Sequence, residues 1–352
     1  MKLAFPGAGS GVTGSCQRVE AAVPALLAAI AVLAFPVVAH AEWLSRTVDG
    51  IMGTRIQVQL WAEQKAAGES AVDAVMAEMN RIDAAMSTYK PDSELSRLNA
   101  RAAREPVVIG AELFGLLQTA MEFSRITDGA FDVTYASVGF MYDFRAHRRP
   151  SEAQIRAALP EVNYRLVSLD PQTRSVRYGR EGMRIDLGGI AKGYAVDRGI
   201  ALLQARGIQH ALVSAGGDSR VIGDRFGRPW VIGIRHPDRK DEIIARLPLV
   251  DTAISTSGDY ERYFDENGQR YHHIIDPRTG HSASAVRSAT ILADTATRTD
   301  GLSKTAFVLG AERALQIYAR LGDVDAVLVT PDGKVHYSAG LEPGRTPTAP
   351  AR

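Results

Sequence analysis

Residues 54–61 read TRIQVQLW: Ile56, Val58 and Leu60 stand at every second position between polar neighbours, the period of a strand buried on one face. The period then changes. Across residues 68–86, Val72, Val75, Met79, Ile82 and Met86 recur at helical spacing, with Ser70 and Asp73 spaced as a capping box. A second helix is predicted over 111–126 on Leu113, Leu116, Leu117, Ala120 and Phe123. Methionine stripes of this kind fill cores. Further short strands are expected at 211–213, 230–234 and 290–293. Helices are expected from near Gly189, from Asp300 into Phe307, and over 311–321. Residues 326–337 read as a hairpin turning at Pro331, Asp332 and Gly333. Strands and helices follow one another without strict βαβ alternation, so the fold class is α+β.

The 352 residues are enough for one large domain or two, with a core that needs no metal or disulfide staple. Lys plus Arg number 41 and Asp plus Glu 40, for a net charge of +1, which argues against a nucleic-acid partner held by a basic field. Cys16 is the sole cysteine, so neither a disulfide framework nor a zinc ribbon can form within the chain.

Residues 21–39, AAVPALLAAIAVLAFPVVA, carry no charge and end at Ala39, His40 and Ala41, the A-x-A pattern of a signal-peptidase site with Glu42 as the mature start. Lys2 and Arg18 supply the positive segment ahead of the run. The alternative is a membrane anchor, since about 19 apolar residues just reach across a bilayer. Pro24, Pro36 and the cleavage-like end favour export and removal. No adjacent arginine pair precedes the run, and Cys16 lies on the wrong side of it for a lipoprotein attachment. Removal of 1–41 takes away Lys2, Arg18, Glu20 and Cys16, leaving a formally neutral, thiol-free chain suited to an oxidising compartment. The organisation expected is a signal peptide over 1–41, one domain over 42–340 and a Pro-rich disordered tail over 341–352, in the periplasm or exterior of a bacterium.

Chemistry concentrates in four segments. Residues 184–194 (RIDLGGIAKGY) run an apolar strand end into two glycines and a helix carrying Lys192, a way to bring backbone N–H groups and a helix N-terminus to a phosphate. The same pattern also fits a tight turn needing positive φ, and it is not a Walker loop. Residues 214–218 (SAGGD) again place glycines and a carboxylate past a strand. Residues 272–280 (HHIIDPRTG) offer histidines and an aspartate for proton transfer or metal ligation, or else a hairpin edge with a hydrogen-bonded histidine. Residues 299–307 (TDGLSKTAF) put Asp300 at a helix start, where it either caps the helix or binds a hard cation. Together they describe an exported protein that binds a phosphorylated ligand.

The ordered set of motifs resembles the ApbE family, the FAD:protein FMN transferases. The matching segments are 51–54 (IMGT), 86–89 (MSTY), 95–99 (LSRLN), 127–134 (TDGAFDVT), 185–193, 216–218 (GGD), 255–260 (STSGDY), 273–280 and 300–310, which cover about 46 to 340 in family order. The resemblance implies a single catalytic domain in which a mixed or antiparallel sheet carries packed helices. It implies transfer of the FMN half of FAD, through its phosphate, to a Thr or Ser of a partner flavoprotein, with release of AMP and with Mg²⁺ at the pyrophosphate. Carried over to this sequence, the FAD contacts are Met52, Tyr89, Ala130, Phe131, Asp132, Asp186, Lys192 and Ile274. The metal ligands are the carbonyl of Gly189, Asp300 and a Thr four residues beyond it. Tyr89 and Phe131 offer stacking surfaces. The partner class implied for an exported member is a flavoprotein of a membrane electron-transfer complex.

One position departs from this pattern: the fourth residue after Asp300 is Lys304, with Thr305 one place further. An ammonium cannot ligate Mg²⁺. Either Lys304 supplies positive charge near the pyrophosphate, or it points outward and a more weakly held Mg²⁺ keeps more waters; retained, weaker Mg²⁺ is the expectation. The expected mechanism is attack of the acceptor hydroxyl on the FMN phosphorus, with Asp300 as catalytic metal ligand, Lys192 on the phosphate, and His273 handling the proton or contacting phosphate. The rivals are a pyrophosphatase splitting FAD to FMN and AMP, and an exported FAD-binding protein without catalysis.

Overall fold

The change of period at residues 54–86 is where strand hands over to helix. The computed structural model describes residues 41–239 and 241–341; apart from Ala41 and Leu341, the expected signal peptide and tail lie outside the described residues. β1 (Glu42–Ile51) and β2 (Thr54–Ala62) form a hairpin turning on Met52 and Gly53, whose φ angles of 53° and 65° match the type I′ pattern that follows strand twist. β3 (Ala211–Ala215), β4 (Asp218–Ile222), β5 (Ala253–Gly258), β6 (Ser288–Ala293), β7 (Asp325–Val329) and β8 (Val335–Tyr337) complete an eight-stranded sheet. Its spatial order is the chain order, and every neighbouring pair is antiparallel. The α+β expectation with an antiparallel sheet is thus what the chain builds.

Helices enter as insertions in this meander. α1 (Lys65–Met86), α2 (Glu94–Arg101), α3 (Ala111–Ile126) and α4 (Ala191–Gln204) lie between β2 and β3, and α5 (Ala296–Leu309) and α6 (Ala311–Leu321) between β6 and β7. Strand alternation puts two of the three apolar clusters on opposite faces of this sheet. Ile56, Val58, Leu60, Val213, Ala253 and Ile291 join Val72, Val75, Met79 and Ile82 of α1 in one cluster. Leu212, Val221, Ile254 and Leu292 point to the other face, against a two-stranded hairpin of Trp230–Arg235 and Ile243–Leu249.

Some expectations are corrected. α1 begins at Lys65 behind Gln64, with no side-chain cap, so Ser70 and Asp73 lie inside the helix and form no capping box; Asp73 pairs instead with Arg46 on β1. Residues 184–187 join no ladder. Ile185 is held by a side chain, Asn99 of α2, which donates to Ile185 O and accepts from Ile185 N, both at 2.8 Å, while Asp186 N donates to Val133 O at 3.0 Å.

Candidate functional site

The site forms where the N-terminus of α4 meets the first turns of α5. Gly193 of α4 packs so closely on Ala296 that a Cβ there would overlap the Ala296 carbonyl, which is why a glycine follows Lys192. The approach lets the Gly193 N–H, at the end of α4 that carries partial positive charge, donate to Asp300 Oδ2 at 3.2 Å. Lys192 Nζ donates to Asp218 Oδ2 at 2.6 Å and to Asp300 Oδ2 at 3.4 Å. Lys304, one turn along α5, turns inward: its Nζ pairs with Asp300 Oδ1 and donates to the Asp300 carbonyl at 2.9 Å. The outward reading of Lys304 is corrected. Two carboxylates and two ammonium groups make a neutral cluster, in which Asp300 is fully buried and Asp218 is 4 % exposed.

Burial alone would raise both carboxylic acids. At Asp300 the charges of Lys192 and Lys304 overcome burial and hold its pKa below the ordinary carboxylate range. At Asp218 burial, reinforced by the neighbouring Asp300 charge, wins and pushes it up. Burial opposes the charge on Lys192, but Asp218 and Asp300 outweigh it and raise its pKa.

His273 stands beside this cluster, where burial, then the positive charges of Arg262, Lys304 and Lys192, push its pKa down to about 3. Its ring is neutral near pH 7, and its buried Nδ1 has no hydrogen-bond partner. The His273 N–H donates to Arg262 O at 3.1 Å, and a Cβ on Gly53 would lie 3.7 Å from the Arg262 guanidinium, so the turn bearing Met52 closes the same side.

Asp186 forms a second focus. It accepts from Thr88 Oγ1 at 2.7 Å, Tyr135 OH at 3.0 Å and Gly188 N at 2.7 Å. Tyr89, next to Thr88, is 85 % exposed. Gly188 and Gly189 do not have positive φ, so the tight-turn reading is corrected too. What Gly189 provides is room: a Cβ there would lie 3.3 Å from the Phe131 ring and 3.6 Å from Lys304 Cε.

Other expected contacts work inside the protein. Asp132 is buried and accepts from Thr134 N, Thr134 Oγ1 and Tyr164 N at 2.8, 2.6 and 2.9 Å; burial nonetheless raises its pKa. Ala130, Phe131 and Ile274 are buried, with Phe131 edge-on to Phe123, so Phe131 is a wall of the core and not an open stacking platform. Asp276 pairs with Arg278, which also donates to Val308 O at 2.6 Å and ties this loop to α5.

Three structural supports are given no role by the sequence, although Asn99, Ser255, Ser257, Thr299 and Ser303 lie in the motif segments quoted above. Asn99 clamps the segment that carries Asp186. Asp197 of α4 caps α5 from outside, accepting from Ala296 N and Thr297 N at 2.9 and 2.8 Å while pairing with Arg220. Hydroxyls link β5 to α5, Ser255 to Thr299 at 2.7 Å and Ser257 to Ser303 at 2.8 Å. The available signal was periodicity: 255 and 257 share a strand face, and 299 and 303 share a helix face.

With this geometry in hand, comparison with known proteins is direct. The model of the ApbE family matches residues 52–328. The FAD:protein FMN transferase of Treponema pallidum (strain Nichols) is 33% identical over 310 residues, spanning 83% of this chain and 86% of its own. Among solved structures, the ApbE protein of Thermotoga maritima superposes with a TM-score of 0.78 at 35% identity, covering 85% of this chain and 97% of its own. The apo flavinyl transferase ApbE of Pseudomonas stutzeri gives 0.75 at 29% identity, covering 85% and 95%.

Proposed function

We infer the activity of this chain from the family to which it belongs, the ApbE family: it is an FAD:protein FMN transferase, moving the FMN half of FAD onto a Thr or Ser of a partner flavoprotein and releasing AMP. The acceptor oxygen bonds to the FMN phosphorus, the P–O bond to the AMP phosphate breaks, and AMP leaves with the bridging oxygen. The observation that carries this reading is the buried cluster of Lys192, Asp218, Asp300 and Lys304 beside the unpartnered Nδ1 of His273. Phosphoryl transfer needs charge neutralisation and positioning more than covalent chemistry, and two ammonium groups anchored on carboxylates offer the phosphates fixed N–H donors.

His273 is proposed to contact the reacting phosphate or the acceptor hydroxyl through its unpartnered Nδ1, as a neutral ring whose pKa, pushed down to about 3, makes it a weak base. Lys192 is proposed to meet the phosphates from the start of α4, and Asp186 and Tyr89 to meet the remainder of FAD. Asp300 acts by fixing the two lysines. Ala130, Phe131, Asp132 and Ile274 are proposed to shape the pocket wall.

The resemblance also implies Mg²⁺ held by Asp300 and the Gly189 carbonyl. The residues present do not fit it: both Asp300 carboxylate oxygens already accept from N–H groups, and Lys304 stands where the pattern has a Thr, near enough that a Cβ on Gly189 would lie 3.6 Å from its Cε. Export to the periplasm is proposed from residues 1–41; β1 begins at Glu42, the residue after the proposed cleavage, and no helix among the described residues is long and apolar enough to cross a membrane. The acceptor is proposed to belong to a membrane electron-transfer complex.

The test is incubation with FAD and a Thr-bearing acceptor domain, read by intact mass. An FMN adduct on the acceptor is expected. Release of AMP at a rate indifferent to acceptor would identify a pyrophosphatase, and retention of FAD without AMP a binding protein.

A further inference from the structure

We propose that Lys304 is this chain's built-in substitute for a divalent cation: its ammonium, held on Asp300 with its arm near Gly189, supplies the positive charge at the pyrophosphate, and FMN transfer runs without a bound metal. The proposal rests on the transferase reading for the reaction, and on position and charge for the residue.

The position comes first. Lys304 follows Asp300 by one helical turn, so both project from the same face of α5. Its side chain is only 17 % exposed; Nζ bonds to the carboxylate and the main-chain carbonyl of Asp300, and a Cβ on Gly189 would lie 3.6 Å from Cε. The ammonium therefore sits on one of the two groups expected to hold a metal, Asp300, with its arm near the other, Gly189. Thr305 does not take over: one residue further along a helix is about 100° further around it, and its hydroxyl is fully buried.

The placement is also enforced. Thr299 and Ser303 bond to Ser255 and Ser257 of β5, which fixes the rotation of α5, and Asp197 caps its first turn. Lys304 cannot swing out unless Asp300, fully buried, gives up a charge partner.

The charge balance agrees. With Lys192 and Lys304 against Asp218 and Asp300, the cluster is neutral before FAD arrives. A divalent ion would have to enter beside two ammonium groups and compete for oxygens already engaged, while Mg²⁺ demands near-octahedral oxygen ligation. An arriving pyrophosphate meets two N–H-rich cations instead. The bonds made and broken are those of the transfer above; Lys304 keeps its proton and serves as fixed charge.

Two measurements on the full chain test this. First, Mn²⁺ binding by electron paramagnetic resonance, without FAD: wild type is expected to leave the aquo-ion signal unchanged, and Lys304→Thr to bind one ion. Second, FMN transfer with a chelator against transfer with Mg²⁺: wild-type rates should agree within about twofold, whereas Lys304→Thr should lose about a hundredfold under chelator and recover with Mg²⁺. Wild type that binds one Mn²⁺, or that needs Mg²⁺ for transfer, overturns the proposal. If no condition yields an adduct, the transferase reading has failed, and the Mn²⁺ measurement still decides the role of Lys304. Should Lys304→Thr fail to fold, Lys304→Met takes its place for the loss under chelator, and the wild-type arms stand unaltered.

Discussion

Gly193 on α4 and Ala296 on α5 touch so closely that a Cβ on the glycine would overlap the alanine carbonyl and lie 2.9 Å from Asp300 Cβ. This contact sets the distance between the two helix starts, and hence between Lys192 and Asp300. The obstructing atom is helical backbone, which cannot rotate away. Gly193→Ala is therefore expected to cost about 1–3 kcal/mol by overpacking, less the ~1 kcal/mol that alanine returns in helix propensity. Transfer should fall further than stability does, because the carboxylate is pushed off the lysine. Denaturant midpoints and single-turnover rates check both, and a variant as active as wild type would disprove the spacing argument.

Asp197 couples the same two helices by charge. It satisfies two N–H groups at the start of α5 and accepts from Thr297 Oγ1 at 2.6 Å. Asp197→Ala leaves those donors bare and should destabilise by about 1–2 kcal/mol, the usual range for a lost cap. Thr297→Ala, which removes one bond and no cap, should cost less. The order of the two chemical-denaturation midpoints decides the matter.

How much of this was legible follows from range. α3 and α6 run over the predicted residues, 111–126 and 311–321, because an amphipathic stripe is a local property. The start of α1 leaves no mark in the sequence because it has no side-chain cap, and Ser70 with Asp73 mimics one inside the helix. Residues 184–187 look like a strand yet pair with the Asn99 side chain, 86 positions from Ile185, and no periodicity reports such a partner. Lys192 and Asp300 stand out in the sequence as charged residues in apolar, Gly-rich surroundings, and the fold brings them within 3.4 Å of each other. That Lys304 turns inward was not legible, since a lysine one turn from an aspartate is usually a solvated surface pair.

The histidine pair makes a pH prediction. Burial pushes His272 down to about 4 and His273 to about 3, whereas an unfolded histidine titrates near 6.5. Both are lowered cation acids, so the unfolded chain binds protons that the folded chain refuses between these values. Their contribution is intact above about pH 6.5 and declines as pH falls, on the order of 3 kcal/mol for His272 by pH 4. Stability measured at pH 7, 5.5 and 4.5 should fall less steeply in His273→Gln than in wild type. Parallel slopes would mean that this ring titrates normally in the fold.

Asn99 makes two backbone bonds to Ile185 and accepts a third from Tyr178 OH at 2.9 Å. Asn99→Leu has similar volume but leaves buried backbone groups unpaired, so a loss of about 2–3 kcal/mol is expected. Asp186 sits one residue on, and a loosened segment should raise KM for FAD more than it lowers kcat. Asn99→Asp keeps the acceptor and loses the donor, and should fall between the two. Steady-state kinetics with FAD varied would show an equal loss in kcat if the segment served only the fold.

Tyr89 separates ligand binding from stability. Its ring is 85 % exposed, so the fold gains almost nothing from it. Next to it, Thr88 holds Asp186, which places the ring at the rim of the proposed FAD pocket. If the ring stacks on FAD, Tyr89→Ala should leave the melting midpoint unchanged within about 0.5 kcal/mol. It should raise KM for FAD roughly five- to tenfold, the value of one aromatic stack near 1 kcal/mol. Tyr89→Phe should restore wild-type kinetics, since the ring and not the hydroxyl does the stacking. If KM for the acceptor protein rises while KM for FAD stays put, the exposed ring belongs to the protein-docking face and the FAD assignment of Tyr89 is wrong.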